Sequence, residues 1–322
     1  MRAVVITSSG GPEVLEVRDE PEPEAGEGEL LVAAEACGVN FRDVYEREGR
    51  GAAYANEPPL VGGAEGAGTV LAAGPGVEGF VAGDRVAWSN APGSHAERVA
   101  VPARAAVRVP DGVSSELAAA VLLQGMTAHY LCTSTYAVQE GDDVLVHAAA
   151  GGVGLLLTQM VKLRGGRVLA TTSTEEKAGL ARGAGADETL PYEGFADRVR
   201  ELTGGRGVDV AYDAVARTTF HGSMAALRAR GTLVLYGQAS GPVEPIEPEI
   251  LRAKSLFLTR PGLPDYVATR EELEWRAGEV LGWVADGRLD VRIGGRYPLA
   301  DARRAHEDLE GRRSTGKLVL LP

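Results

Sequence analysis

Cysteine is nearly missing from this chain: Cys37 and Cys132 are the two it has in 322 residues, too few for a disulfide framework. No apolar run reaches the 18 residues that a membrane-spanning helix needs. The opening MRAVVITSSGGPEV has no hydrophobic leader core, so we expect a protein of the reducing cytoplasm that neither enters nor lies on a membrane. Positive charge is also short. Lysine occurs four times, and with a net charge of −12 and no basic run the chain is a poor partner for nucleic acid or an anionic bilayer. Aromatic residues make up 5%, but the hydrophobic fraction of 44% is that of an ordinary globular protein, and the length suits two domains with a core each.

Two textures follow one another. Residues 1–122 read as short strands separated by turn residues: a hairpin of 2–7 and 14–18, then 29–36, 60–73, 85–87, 96–102 and 106–109. That pattern predicts a partly open barrel. A helix over 114–123, capped by Ser114 or Ser115, leads into a strand–helix alternation with strands at 144–148, 167–172, 188–192, 208–213, 232–237 and 255–259. Alternation of this kind predicts a doubly wound parallel sheet. The tail holds a long helix at 269–286, a strand at 292–297, a short helix at 299–310 and a closing strand at 317–321. It is too small for a domain and should pack back on the first one.

The most informative stretch is VLVHAAAGGVG at 144–154. A buried strand turns on small residues into a helix with apolar positions at 153, 156, 157, 160 and 161. Ala149, Gly151 and Gly154 take the places of a Gly-x-Gly-x-x-Gly dinucleotide fingerprint. Ala150, Gly151, Gly152 and Val153 would bring backbone N–H groups and the helix dipole to a pyrophosphate, while Gly154 would let helix and strand pack closely. Taken alone, the motif favours a dinucleotide, with a tight strand–helix turn that holds no ligand as the lesser alternative. Where the second strand of this sheet ends, an NAD site carries a carboxylate; here Ser173 stands there, with Lys177 one helical turn on. A hydroxyl and an ammonium favour a 2′-phosphate, which points to NADPH.

The strings GVNFRDVYEREG (38–49), EGAGTV (65–70), GDRVAW (83–88), QGMTAHYL (124–131), HAAAGGVG (147–154), TREELEW (269–275) and YPLADARRAHEDLEGR (297–312) run end to end through the chain. Together they resemble the zinc-free medium-chain dehydrogenase/reductases, most closely the zeta-crystallin-like NADPH:quinone oxidoreductases. The resemblance implies an α/β protein with a GroES-like β-rich catalytic domain (1–122, completed by 260–322) and a Rossmann domain (123–259). It implies NADPH in a cleft, and a homodimer formed through the Rossmann sheet edge at 255–260. It adds Tyr192 and Lys317 to the 2′-phosphate pocket and sets Asn40, Phe41 and Thr127 on the nicotinamide side. It also brings Val215, Gly237, Gln238, Leu258, Thr259 and Arg260 to the cofactor; Val215 and Leu258 read as readily as ordinary core.

By the same alignment, the ligand positions of zinc-dependent relatives fall on Asn40, Ala64 and Leu123, and the structural-zinc lobe is missing, so we expect no metal. Cys37 reads as a small buried hydrophobe, His147 as a hydrogen-bonded core histidine, and the five histidines have no metal spacing. With no nucleophile–base constellation, catalysis rests on positioning, and a quinone needs little acid help. Asn40 and Tyr45 are the candidates to orient the carbonyl oxygen. The family's second pocket tyrosine falls near Gly51, and Tyr54 could stand in for it. The expected function is NADPH-dependent reduction of a quinone. Reduction of α,β-unsaturated carbonyls and non-catalytic NADPH binding are the alternatives.

Overall fold

The computed structural model describes residues 1–50, 54, 55 and 57–322. The chain divides into two compact units, Met1–Leu123 with Val267–Pro322, and Gln124–Tyr266.

The first unit begins with β1 (Arg2–Ile6), β2 (Leu15–Asp19) and β3 (Glu29–Val39), followed by α1 (Phe41–Glu48). Next come β4 (Leu60–Val61), β5 (Gly66–Ala73), β6 (Arg85–Trp88), β7 (Arg98–Pro102) and β8 (Ala106–Arg108). α2 (Ser115–Tyr130) carries the chain into the second unit, its start capped by Ser114 Oγ accepting from Leu117 N–H at 3.2 Å. There β9 (Asp143–Val146), α3 (Gly152–Leu163), β10 (Arg167–Thr171), α4 (Glu175–Gly183) and β11 (Glu188–Leu190) follow in turn. α5 (Phe195–Leu202), β12 (Val208–Asp213), α6 (Phe220–Ala226), β13 (Leu227–Leu235), β14 (Phe257–Thr259) and α7 (Leu263–Tyr266) complete it. The tail returns to the first unit as α8 (Arg270–Ala285), β15 (Ile293–Pro298), α9 (Ala302–Glu310) and β16 (Lys317–Leu321).

Strand β3 organises the first unit, because its eleven residues are long enough to pair with β5, β7 and β16 at once. One sheet runs β15-β16-β3-β5-β6-β8, and a smaller one runs β2-β1-β4. The tail therefore completes the first unit's sheet. Leu30, Val32, Val70, Val86 and Trp88 fill one core; Val4, Ile6, Cys37, Val39, Leu318 and Leu320 join the inner face of α9 in another. Burial pushes the Cys37 thiol up to about 12, so it packs as the small hydrophobe expected of it.

The second unit's sheet has the order β11-β10-β9-β12-β13-β14, all parallel. Successive crossovers run outward from β9 on one side, then from β12 on the other. A crevice is left outside the carboxyl ends of β9 and β12, where open α/β sheets bind ligands. The unit boundaries fall at 123/124 and 266/267 rather than 122/123 and 259/260. The helix expected at 114–123 continues to Tyr130, whose ring stacks on Tyr266 at 4.2 Å. Thr135 Oγ1 also donates to the Tyr266 hydroxyl at 3.0 Å, and together these contacts hold 260–266 in the second unit.

Candidate active site

In the second unit the site grows from the turn between β9 and α3. His147 follows the last residue of β9 and is fully buried, its Nδ1 2.8 Å from Thr171 Oγ1 and its Nε2 2.9 Å from Ser223 Oγ. It is the hydrogen-bonded core histidine expected, and burial holds its pKa below the usual range. Ala148 then takes a left-handed φ of 52°, and its N–H donates to the Tyr192 hydroxyl at 3.1 Å. Gly151 caps α3, so the N–H groups of Gly152, Val153 and Gly154 begin the helix with no carbonyl of its own to meet. A Cβ on Gly154 would lie 2.3 Å from Ala148 O and 2.7 Å from Ala149 Cα, so glycine is what lets α3 sit on the strand end. Gly152 answers a different need: a Cβ there would fall on the Gln124 amide of α2.

Beside this turn, β10 and β11 end together, Thr171 paired with Leu190. Ser173 is exposed just past β10, and Lys177 follows in the first turn of α4, where Thr174 Oγ1 accepts its N–H at 3.2 Å. Tyr192 lies just past β11, its ring 6.1 Å from that of His147. Glu175 and Glu176, beside Lys177, are exposed to solvent, and Glu175 is tied to Arg182. Ser173, Lys177 and Tyr192 thus share one end of the sheet.

Lys317 belongs to the first unit. Its ammonium lies in the first unit with only 1% of the side chain exposed, ion-paired with Glu65 Oε2 at 2.5 Å and donating to Asn40 Oδ1 at 2.7 Å. The ammonium that the resemblance sets at the 2′-phosphate is thus paired with a carboxylate inside the first unit.

On the far side of β9, Asp213 ends β12 and is fully buried. Its Oδ1 accepts from Val215 and Ala216 N–H at 2.8 and 2.9 Å, while Thr219 and Ser223 hydroxyls donate to Oδ2. Val215 is thereby fixed in the loop, and Ser240 N–H donates to its carbonyl at 2.9 Å. Gly237 packs on Ala214, and the Arg260 guanidinium reaches the carbonyls of Leu235 and Gly237 and the Gln238 side chain at 3.3 to 3.4 Å. Leu258 and Thr259, on β14, pair with Leu233 and Val234 of β13. Val215 is buried core as well as loop, and Thr127 is a buried residue of α2.

In the first unit Asn40 caps α1 and is 4% exposed. Its N–H donates to Asp43 at 2.7 Å, and its Nδ2 donates to Glu65 Oε2 at 2.9 Å. Phe41 and Tyr45 follow one turn apart on the helix, ring centroids 6.3 Å from each other. Tyr54 meets Tyr45 edge-on at 5.5 Å, and the Arg50 guanidinium lies 5.2 Å over the Tyr45 ring. Gly51 lies outside the described residues. Glu65 and Asp213 carry no role in the sequence reading. Their signal was there, an acidic side chain inside or at the end of an otherwise apolar or small-residue run.

The second unit's set fits a 2′-phosphorylated dinucleotide: an open backbone turn at a helix start, a hydroxyl where a carboxylate would repel, and a lysine in the next helix's first turn. Two family models match the chain, the alcohol dehydrogenase GroES-like domain over residues 26–111 and the zinc-binding dehydrogenase over 152–272. A quinone oxidoreductase of Pseudomonas aeruginosa is 44% identical over 100% of this chain and 99% of its own. A 2-haloacrylate reductase of a Burkholderia species is 39% identical over 99% and 98%. A mycobacterial protein solved in complex with NADPH is 52% identical, covers 100% of both chains and superposes with a TM-score of 0.97. The chain belongs to the quinone oxidoreductase family of zinc-free medium-chain dehydrogenase/reductases. Zinc does not fit the positions its relatives would use. Asn40, Ala64 and Leu123 offer an amide, a methyl and an alkyl group, and among the described residues no cluster of His, Cys, Asp and Glu could hold a metal.

Proposed function

We propose that the chain is an NADPH-dependent quinone reductase. The observation that carries this reading is the 2′-phosphate-compatible sheet end, where Ser173, Lys177 and Tyr192 flank the open turn that starts α3. Ala150, Gly151, Gly152 and Val153 hold the pyrophosphate, and Ser173, Lys177 and Tyr192 hold the 2′-phosphate. Thr127, Val215, Gly237, Gln238, Leu258, Thr259 and Arg260 line the remaining cofactor. Asn40, Phe41 and Tyr45 take the nicotinamide and quinone side. When bound, NADPH supplies the hydride; the chain binds, orients and keeps water out. The Asn40 amide and the Tyr45 hydroxyl orient the quinone carbonyl, and the Tyr54 ring against Tyr45 supports its standing in for a second pocket tyrosine.

The 2-haloacrylate reductase relative favours a second reading, reduction of electrophilic α,β-unsaturated carbonyls at the same site. Cys37 and Cys132, both buried thiols, support residence in a reducing cytoplasm. Strand β14 is the sheet's edge and Phe257 on it is 61% exposed, which supports a homodimer built there from two copies of the edge. Steady-state oxidation of NADPH and NADH with 9,10-phenanthrenequinone, 1,4-benzoquinone and an enone tests the activity. The reading expects turnover of a quinone with a marked preference for NADPH. Equal use of the two nucleotides contradicts the phosphate pocket, and enone turnover with inert quinones favours the second reading.

A further inference from the structure

Three strands of the first unit end side by side at one place. β16 begins at Lys317, β3 ends one residue before Asn40, and β5 begins one residue after Glu65. The register pairs Leu318 with Val39 and Cys37 with Gly66, which brings the three side chains together although Glu65 and Lys317 are 252 positions apart. The result is a closed ring of hydrogen bonds in the interior: Lys317 Nζ to Asn40 Oδ1 at 2.7 Å, Asn40 Nδ2 to Glu65 Oε2 at 2.9 Å, and Lys317 Nζ back to Glu65 Oε2 at 2.5 Å. Glu65 Oε1 accepts from Leu123 N–H at 2.6 Å, which stops the carboxylate from turning.

A fully buried ion pair is a poor device for stability, because apolar groups of the same volume serve as well or better. What it does here that apolar groups could not is fix an amide. Flipping Asn40 would put its NH2 against the ammonium and its oxygen against the carboxylate, two repulsive contacts in place of two attractive ones. The Asn40 backbone is held as well, through its N–H on Asp43.

We propose that Glu65 and Lys317 are a positioning pair that acts on quinone reduction through Asn40, by holding its amide in one orientation. This rests on the assignment of Asn40 to the nicotinamide and quinone side. The pair touches neither reactant, so its effect disappears when Asn40 is gone.

The test measures kcat with 9,10-phenanthrenequinone and KM for NADPH in Lys317→Met, Glu65→Gln, their double variant and Lys317→Arg, each with Asn40 present and as Asn40→Ala. Lys317→Met is expected to lower kcat about tenfold with KM for NADPH changed less than about threefold, and Lys317→Arg to recover part of the loss. In the Asn40→Ala background the same change is expected to alter kcat less than about twofold. Losses that multiply with Asn40→Ala, or a Lys317→Met enzyme of normal kcat and lowered melting temperature, overturn the proposal. If a single-charge variant fails to fold, the double variant, which leaves no charge behind, carries the comparison. An arm that does not depend on turnover uses the chain's three asparagines. With 15N-labelled asparagine, the Asn40 side-chain amide should be protected from solvent exchange in the wild type and lose protection in the double variant; unchanged protection contradicts the pair's role. Should Asn40→Ala keep full activity, the assignment of Asn40 falls and the pair has nothing to position. A wild type that oxidises no NADPH defeats the parent reading alone, since the amide measurement still stands.

Discussion

The proposal of Ser173 and Lys177 for the phosphate pocket rests on a local pattern: a hydroxyl where a carboxylate would repel, and a lysine one turn later. The surroundings of Lys317 were not legible in the same way. Its counter-charge, Glu65, lies 252 residues away. Both glutamate and lysine look like surface residues to any local pattern, yet both are buried. The division makes a prediction for each lysine. Lys177→Ala should weaken NADPH binding about tenfold or more, the worth of a charge-assisted hydrogen bond, and leave NADH binding unchanged. Lys317→Met should leave the NADPH:NADH preference as it was. Calorimetric or fluorescence titration of both nucleotides checks each statement, and a lost preference in Lys317→Met would assign that residue to the 2′-phosphate pocket.

At the level of elements, period and turn chemistry made β9, α3, β12, β16 and the extent of α8 readable to within a few residues. Thr269 caps α8, accepting from Glu272 N–H at 3.2 Å while the Glu272 side chain returns to the Thr269 N–H. Helix α1 escaped notice because it buries charge. Asp43 takes the Asn40 N–H, and Arg47, without exposed surface, grips Glu310 at 2.7 Å and the Gly10 carbonyl at 2.9 Å. A pattern that assigns charge to solvent cannot place such a helix. The strand–turn–helix around 144–154 depends on one glycine above the rest. Gly154→Val should drive α3 off the strand end, since its Cβ would meet Ala148 O at 2.3 Å. We expect a loss of about 1–3 kcal/mol in urea unfolding and NADPH binding weakened by about tenfold or more. Wild-type affinity in a folded Gly154→Val protein would contradict the role given to the turn.

For the whole molecule, order and class of the elements were enough to indicate a β-rich unit completed by the tail and a doubly wound sheet, because both depend on alternation and connection rules rather than on side-chain partners. What had to be seen in three dimensions was the buried polar chemistry that joins distant segments. That chemistry sets a pH dependence. Burial lowers the pKa of His95, His147 and His306, that of His306 well below its ordinary value. Each binds its proton more readily when unfolded, so the stability it contributes is present above about pH 6.5 and is lost as pH falls from there through the folded values. Melting temperature should hold from pH 8 to pH 7 and decline below about pH 6.5, with up to about 1.4 kcal/mol per pH unit from each histidine. A melting temperature that rises on acidification across that range would contradict the buried, neutral state of these rings.

Quinone reduction with NADPH is put to the test by a single turnover, in which protein loaded with one equivalent of NADPH is mixed with 9,10-phenanthrenequinone and the dihydronicotinamide absorbance is followed. We predict complete loss of that absorbance, slowed several-fold when deuterium occupies one of the two C4 positions and not the other. Tight NADPH binding with no loss of absorbance, for this quinone or any other, would contradict it.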